Sequence, residues 1–574
     1  MIELSKQQIA MIEAGLEPMS VLACAGSGKT STAVHRLVHM SKALGGVRDR
    51  VALLSFSNVA VDTFRRGYQG LLAEMPCTTR RCRVDIDTLD GFITTNVLRP
   101  HAYRTMGSLR SAFLLLGSEA FLQGFKVNAS NYPREIIDIG VGVEAGKFTF
   151  FCSSLTDDRE MLDAAYAEGV VKRLGRTGGY THNLGRYWCL RTLREQPFVL
   201  RALARRYPHL LIDEAQDIGT NHQAILEELI GAGVQISLIG DPNQGIYQFA
   251  GADGEFLRSY GSRAGVKARS LTRNYRCVPK ISDIANKLSA RHDIAHRMAP
   301  ESTHGAFYIA YKNADREKLV AAFRVAVISA QLAVDKSAVL CRARDLAESL
   351  SGSRTVGQGA VKRFAKAAIL RDQGKDFGRA FKEVAACIPS ILAKPPDGLS
   401  AMLTQPAQHP EMRALRRVIW HFTRDADAGL PSASLTANQE WHARLIKNTK
   451  VLIELLGKKF DLAGTTTLGA KLANKKLPNT ALVTAADLVA EEIKIRVDTV
   501  HQAKGESLDA VLYMANKEHA SELLAGVNSE VGRVGYVALT RAKNLMWLGV
   551  PKNCLEELRP KLEEMGFQDA GVAF

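Results

Sequence analysis

Met19-Ser20-Val21-Leu22-Ala23-Cys24-Ala25-Gly26-Ser27-Gly28-Lys29-Thr30 runs from an apolar segment into a glycine-rich turn, and the amphipathic stretch STAVHRLVHMSKAL follows at 31–44. The pattern predicts strand, loop, helix. Gly26 and Gly28 let the backbone curl so that successive N–H groups face phosphate oxygens. Lys29 then sits between the β- and γ-phosphates of a nucleotide, and Thr30 offers its hydroxyl to Mg²⁺. The helix N-terminus adds its positive end at the same place. Ala23 stands where strict GxxxxGK[ST] spacing has glycine. Ala23, Cys24, Ala25, Gly26, Ser27, Gly28, Lys29 and Thr30 are therefore candidate nucleotide contacts, with a ligand-free glycine turn as the plain alternative.

Outward from this loop, 51–56 (VALLSF), 208–214 (PHLLIDE) and 234–241 (VQISLIGD) are further apolar runs ending in polar residues. Buried parallel strands whose C-terminal ends face a ligand look like this. The run at 208–214 delivers Asp213 and Glu214, within DEAQD. Asp213 can reach the Mg²⁺ held by Thr30, and Glu214 can orient the attacking water or accept its proton. An acidic cluster satisfying a helix dipole competes with that reading. Beside a GSGKT loop, hydrolysis of ATP or GTP leads. Phosphoryl transfer also needs positive charge and donors around the migrating group. Gln244 (GDPNQGIYQFAGA), Arg276 (LTRNYRC) and Arg541 (YVALTRA) are candidates. Residue type and spacing do not select these arginines from 75 Lys and Arg, and a surface ion pair is the commoner fate of any one of them.

The chain has 574 residues, with Lys+Arg 75 against Asp+Glu 59 and a net charge of +16. That surplus points to a polyanionic partner. Hydrophobic residues at 46% and charged residues at 23% exclude a mainly disordered or collagen-like chain. No apolar run is long enough for a membrane span, and MIELSKQQIAM is not a secretion signal. The cysteines are scattered with no CxxC pair, as expected of reduced thiols in a cytoplasmic protein.

Strand-like runs return at 337–342 (SAVLCR), 508–514 (LDAVLYM) and 544–549 (NLMWLG), so two α/β regions bracket helical material. Residues 104–206 and 345–484 have helical periods and weak strand signals, and the Pro-rich 394–410 is expected to be a loop. Residues 172–206 carry nine Lys/Arg and one acidic residue, and 442–476 carry eight and two. Each stretch is either a solvated helix face or part of a nucleic-acid track.

Taken in order, LSKQQIAM, ACAGSGKT, SFSNVAVDTF (55–64), LLIDEAQD, LIGDPNQGIYQFAGA, LTRNYRC, VDTVHQAKGESLDAV (497–511) and YVALTRA resemble the motifs of the UvrD/Rep/PcrA helicases of superfamily one. The resemblance implies an α/β fold with two RecA-like P-loop motor lobes and mostly helical inserted subdomains. Residues 1–103 and 207–270 would form the first lobe and 104–206 its insertion. Residues 271–344 and 485–574 would form the second lobe and 345–484 its insertion. ATP and Mg²⁺ would lie between the lobes, with single-stranded or partly duplex DNA across them and travel 3′ to 5′. By motif position, Gln8 would bond the adenine, Tyr275 would stack on it and Glu506 would lie near the ribose. Arg276 and Arg541 would reach the γ-phosphate, and Gln244 would link it to the DNA contacts Phe56, Asn58, Tyr247, Phe249 and His501.

The chain departs from that family pattern in four places. Ala250 stands where the third motif usually has Arg, and KGESLDAV stands where KGLEF is usual, which puts Glu506 one position early. The second insertion lacks an ERxEI-type segment. Asp87-Thr88-Leu89-Asp90-Gly91-Phe92, followed by Leu98-Arg99-Pro100, resembles the UvrD-like subunit of the Gabija anti-phage system, which works beside an OLD-family ATPase–nuclease. An ATP-dependent DNA helicase or translocase in repair or defence is the leading expectation. The alternative is an ATP- and DNA-end-sensing subunit that activates a partner nuclease and unwinds little.

Overall fold

A computed structural model describes residues 4–44, 49–75, 81–115, 117, 119–129, 133–153, 159–248, 251–298, 303–350, 357–396, 398–406, 409–483 and 495–572. The chain divides into two units. One comprises Met1–Phe113, Phe125–Ala347 and Ile495–Phe574, and the other Leu114–Gly124 and Glu348–Lys494.

In the first unit, helix α1 (Lys6–Ile12) opens on a capping box: Ser5 Oγ accepts from Gln8 N–H, and Gln8 Oε1 accepts from Ser5 N–H. The reciprocal bonds satisfy two helix-end donors and fix the Gln8 carboxamide. Strand β1 (Met19–Ala23) leads through the glycine turn into α2 (Lys29–Leu44), followed by β2 (Arg50–Ser55) and β3 (Arg83–Thr88).

The segment that follows includes the helices Leu89–Ile93, Arg99–Met106, Ala164–Gly175, His182–Glu195 and Pro197–Arg206. It also holds an antiparallel sheet of β4 (Ile139–Glu144), β5 (Lys147–Ser153) and β6 (Arg159–Met161). That sheet departs from the helical reading of 104–206. Gly140 and Gly142 interrupt β4 and β6 is only three residues long, which weakens the sequence signal. The ring of Phe151 lies over Gly140, where a Cβ would come within 2.2 Å of it.

The chain then returns with β7 (His209–Ile212), β8 (Gln235–Gly240) and β9 (Lys267–Leu271). The sheet order is β9-β1-β8-β7-β2-β3, with every pairing parallel. Val51 to Ser55 are all buried, as expected for a strand covered on both faces. Registers Leu22↔Gly240 and Ile212↔Leu238 align the C-terminal ends of β1, β7 and β8. The glycine turn, Asp213 and Asp241 therefore leave one edge of the sheet side by side, the usual ligand edge of such sheets.

A second parallel sheet is built from β10 (Gly305–Tyr311), β11 (Ala338–Cys341), β12 (Arg496–Thr499), β13 (Leu508–Met514), β14 (Ala542–Pro551) and β15 (Gln568–Asp569). Its order is β12-β11-β13-β14-β10-β15. Val339, Leu512 and Leu548 lie in its buried interior.

The other unit is helical. Helices α3 (Phe377–Ile391), α4 (Arg413–Arg424) and α5 (His442–Phe460) contribute to a core that includes Phe364, Ile388, Ile419, Trp441 and Leu445. Within 394–410, read from sequence as a loop, Leu399–Thr404 forms a short helix that buries Leu399 and Leu403. Among the described residues every cysteine is a free, buried thiol, and no helix is long and apolar enough to cross a membrane.

Candidate nucleotide and strand-binding cleft

Gly26 and Gly28 adopt φ of +73° and +76°, a conformation that costs a side-chain-bearing residue energy. Space imposes the same choice. A Cβ on Gly26 would lie 2.5 Å from Arg276 Cβ, and one on Gly28 would lie 2.8 Å from Gln8 Nε2. The turn is thus pressed between α1 and the segment after β9. Tyr275 N–H donates to Gly26 O at 2.9 Å, so LTRNYRC is bonded directly to the glycine turn.

Gln8 is buried, and its carboxamide is engaged at both ends. Nε2 donates to Ser27 O at 3.3 Å and to Thr32 Oγ1 at 3.1 Å, while Oε1 accepts from Tyr275 OH at 3.3 Å as well as from Ser5. The Tyr275 ring packs against His296 with centroids 4.8 Å apart. Contact of Gln8 or Tyr275 with a base requires these bonds to exchange. Tyr275, Gly26, Gly28 and Arg276 share a cavity of about 560 Å³ with Arg297 and Lys543.

Asp213 follows β7 and is buried, its N–H bonded to Leu54 O at 2.9 Å. Burial first, then the neighbouring Glu214, pushes its pKa up to about 7, against the pull of Lys29. Among the described residues its Oδ1 and the Ser27 Oγ are buried without a hydrogen-bond partner, an arrangement that costs energy until a ligand arrives. Burial would also raise Glu214, but Lys29, Lys504, Gln216 and Arg541 hold it below the usual carboxylate value. Glu214 itself sits at φ +54°, so the turn throws its carboxylate toward Gln216 Nε2, which donates to it. An orphaned carboxylate oxygen, a nearby hydroxyl at Thr30 and a glycine turn at a helix N-terminus suit a Mg²⁺–phosphate ligand.

The second sheet supplies the opposite wall. Helix α6 (Glu530–Arg541) ends at Arg541, whose Nη2 donates to Gln244 Oε1 at 2.7 Å and whose Nη1 donates to Glu506 O at 3.2 Å. Gln244 Nε2 donates in turn to Asp241 Oδ2 at 2.8 Å. Arg276 Nη1 donates to Thr540 O at 2.9 Å. Burial lowers both guanidinium groups, and for Arg541, brought down to about 9, the adjacent Arg276 adds to the effect. Two cations held this close favour an anion between them. The Glu506 carboxylate is turned to Arg496 at 2.7 Å.

A cavity of about 520 Å³ continues from Thr30, Asp213 and Glu214 to Phe56, Tyr247 and His501. Tyr247 and His501 pack with centroids 5.7 Å apart, and His501 Nε2 lies 3.1 Å from Ile246 O. Phe56 meets His222 edge-on at 5.6 Å. Asn58 is exposed at the start of its helix. Phe249 and Ala250 lie outside the described residues.

Several residues at this site carried no individual signal in the sequence. Lys504 Nζ lies 2.6 Å from both oxygens of Asp217, a buried pair joining 497–511 to DEAQD. The same ammonium stands 4.6 Å over the Tyr247 ring. Arg533 donates to Gly245 O at 2.6 Å and to Gln248 Oε1 at 2.9 Å, fastening α6 to the segment after β8. Asp90 accepts from Arg186 at 2.6 Å and faces His222 Nε2 at 2.9 Å. These partners are far apart in sequence, so no local pattern could pair them.

Residues 4–139 and 180–264 match the model of the UvrD/REP helicase N-terminal domain. The small antiparallel sheet lies mostly in the unmatched span between. The chain is 24% identical over 316 residues to the ATP-dependent DNA helicase UvrD1 of Mycobacterium tuberculosis, covering 50% of this chain and 39% of that protein. It is 25% identical over 334 residues to DNA helicase II of Haemophilus influenzae, covering 55% and 45%. It is 22% identical over 618 residues to the probable DNA helicase II homolog of Mycoplasma pneumoniae, covering 95% and 84%. The chain thus spans less than half the length of the mycobacterial and Haemophilus relatives.

Proposed function

We propose that this chain, UvrD/Rep-like in its motif order and first lobe, is an ATP-driven motor on single-stranded DNA, a DNA-dependent ATPase with helicase or translocase activity. The observation that carries the reading is that Arg276 packs against Gly26 of the glycine turn and bonds Thr540 of α6, while Arg541 of α6 is bonded to Gln244 and acts with Lys29 on Glu214.

In this reading Lys29, Arg276 and Arg541 neutralise charge on the γ-phosphate as it transfers. Thr30 and Asp213 would hold Mg²⁺, which supplies charge stabilisation when bound. Glu214, kept ionised, accepts the proton of the attacking water. Once the bridging anion is lost, the clustered cations repel one another and the lobes part. Gln244 and Arg541 pass that change toward Tyr247, so grip on the strand alternates with the nucleotide state. Phe56, Tyr247 and His501 offer rings to bases irrespective of sequence.

Travel from 3′ to 5′, action on partly duplex DNA, a cytoplasmic setting and a defence role beside an OLD-family ATPase–nuclease are the finer parts of the reading. The cytoplasmic setting rests on the scattered cysteines, and the others rest on the motif resemblance. ATP turnover measured with and without a single-stranded oligonucleotide tests the motor. Stimulation in the wild type and its loss in Lys29→Ala are expected. Equal turnover in both proteins would end the proposal.

A further inference from the structure

Helix α4 reads RALRRVIWHFTR. Leu415, Ile419 and Phe422 are buried in the helical core, which turns Arg413, Arg417, Trp420 and Arg424 to another face. This face borders a cavity of about 880 Å³ against α3, floored by Phe381, Leu403 and Trp420 and edged by Lys382 and the three arginines. All four cations are exposed, and among the described residues none has an ion-pair partner. The acidic residue at the rim, Asp425, already accepts backbone N–H bonds from Asp427 and Ala428 at 2.9 Å each. The result is an uncompensated cationic rim around an apolar floor, far in sequence from the motor motifs.

We propose that this groove docks an acidic amphipathic segment of a protein partner, with apolar side chains on the Phe381–Trp420 floor and carboxylates on the arginine rim. Floor and rim ask for different things. Burying apolar floor calls for branched or aromatic anchors, and planar guanidinium groups bind carboxylates in pairs of hydrogen bonds. Trp and Arg are also the residue types that dominate protein interfaces. A polynucleotide fits less well. It would bring an anion with every residue to a rim whose floor is apolar, and Trp420 does not present an open face for stacking, being half-buried and tilted against Phe381 at 5.1 Å.

The test uses the full chain and a fluorescein-labelled helical peptide of about 16 residues with Leu at i, i+3, i+4 and i+7 and Glu elsewhere. A scrambled peptide of the same composition and a single-stranded oligonucleotide serve as comparators. Saturable binding of the patterned peptide is expected, weakened roughly tenfold or more by Arg413→Glu/Arg417→Glu and by Trp420→Ala. DNA-stimulated ATP turnover should be unchanged in the double variant, whose altered side chains are both exposed. Equal binding of the scrambled peptide, or no saturable binding, overturns the proposal. So does a double variant that keeps the peptide but loses oligonucleotide affinity, which would make the groove a nucleic-acid surface.

Discussion

Arg541 on the second sheet's helix α6 donates to Gln244 on the first sheet's ligand edge at 2.7 Å, and both side chains are buried. This bond joins the two walls of the cleft, beside the Lys504–Asp217 pair and the bonds of Arg533 to Gly245 and Gln248. Gln244→Ala would leave a buried guanidinium N–H unpaired. ATP turnover should fall about 10²-fold, as when a preorganised donor is misplaced, while nucleotide affinity changes little. Steady-state kinetics should show the loss in kcat. A loss confined to KM would contradict the role.

Lys504 and Asp217 form a pair in which both side chains are almost fully buried, 7% and 4% exposed. Removing one charge strands the other. Lys504→Met should destabilise the protein by about 3–5 kcal/mol, read as a lower midpoint in urea. Adding Asp217→Asn should recover much of it. If Lys504→Met alone melts like the wild type, the pair does not hold the lobes.

The Asp213 carboxyl is raised from its ordinary 3.8 to about 7, chiefly by burial and then by Glu214. Between those values the folded protein keeps a proton that the unfolded chain has lost. Stability should therefore fall as pH rises from about 4 toward 7, the sign dictated by proton linkage. Asp213→Asn should flatten that slope in chemical unfolding measured across the range. Because a cation needs the ionised carboxylate, apparent Mg²⁺ affinity should rise over the same pH interval.

Tyr247 carries the Lys504 ammonium over its ring at 4.6 Å, so one of its faces is taken by the protein. Tyr247→Ala should weaken single-stranded DNA binding by about 1–3 kcal/mol, the range for a stacked base. ATP turnover without DNA should be nearly unchanged. Fluorescence anisotropy with a homopolymeric oligonucleotide measures it, and unchanged affinity would remove Tyr247 from the strand path.

The buried strands of both sheets were legible because a strand covered on both faces must be continuously apolar. VALLS and LDAVLYM announce themselves. The edge strand β9, Lys-Ala-Arg-Ser-Leu, was not, since four of its five residues are exposed and its pattern is that of a loop. At the cleft, GSGKT and DEAQD are runs of adjacent residues, so the glycine turn and the carboxylates beside it could be read directly. What the chain order could not supply was pairing. Arg541 with Gln244, Lys504 with Asp217 and Tyr275 N–H with Gly26 O are separated by 297, 287 and 249 positions. Local propensity acts over a few residues. These contacts exist only where distant segments of one compact unit pack against each other, which is a property of tertiary structure.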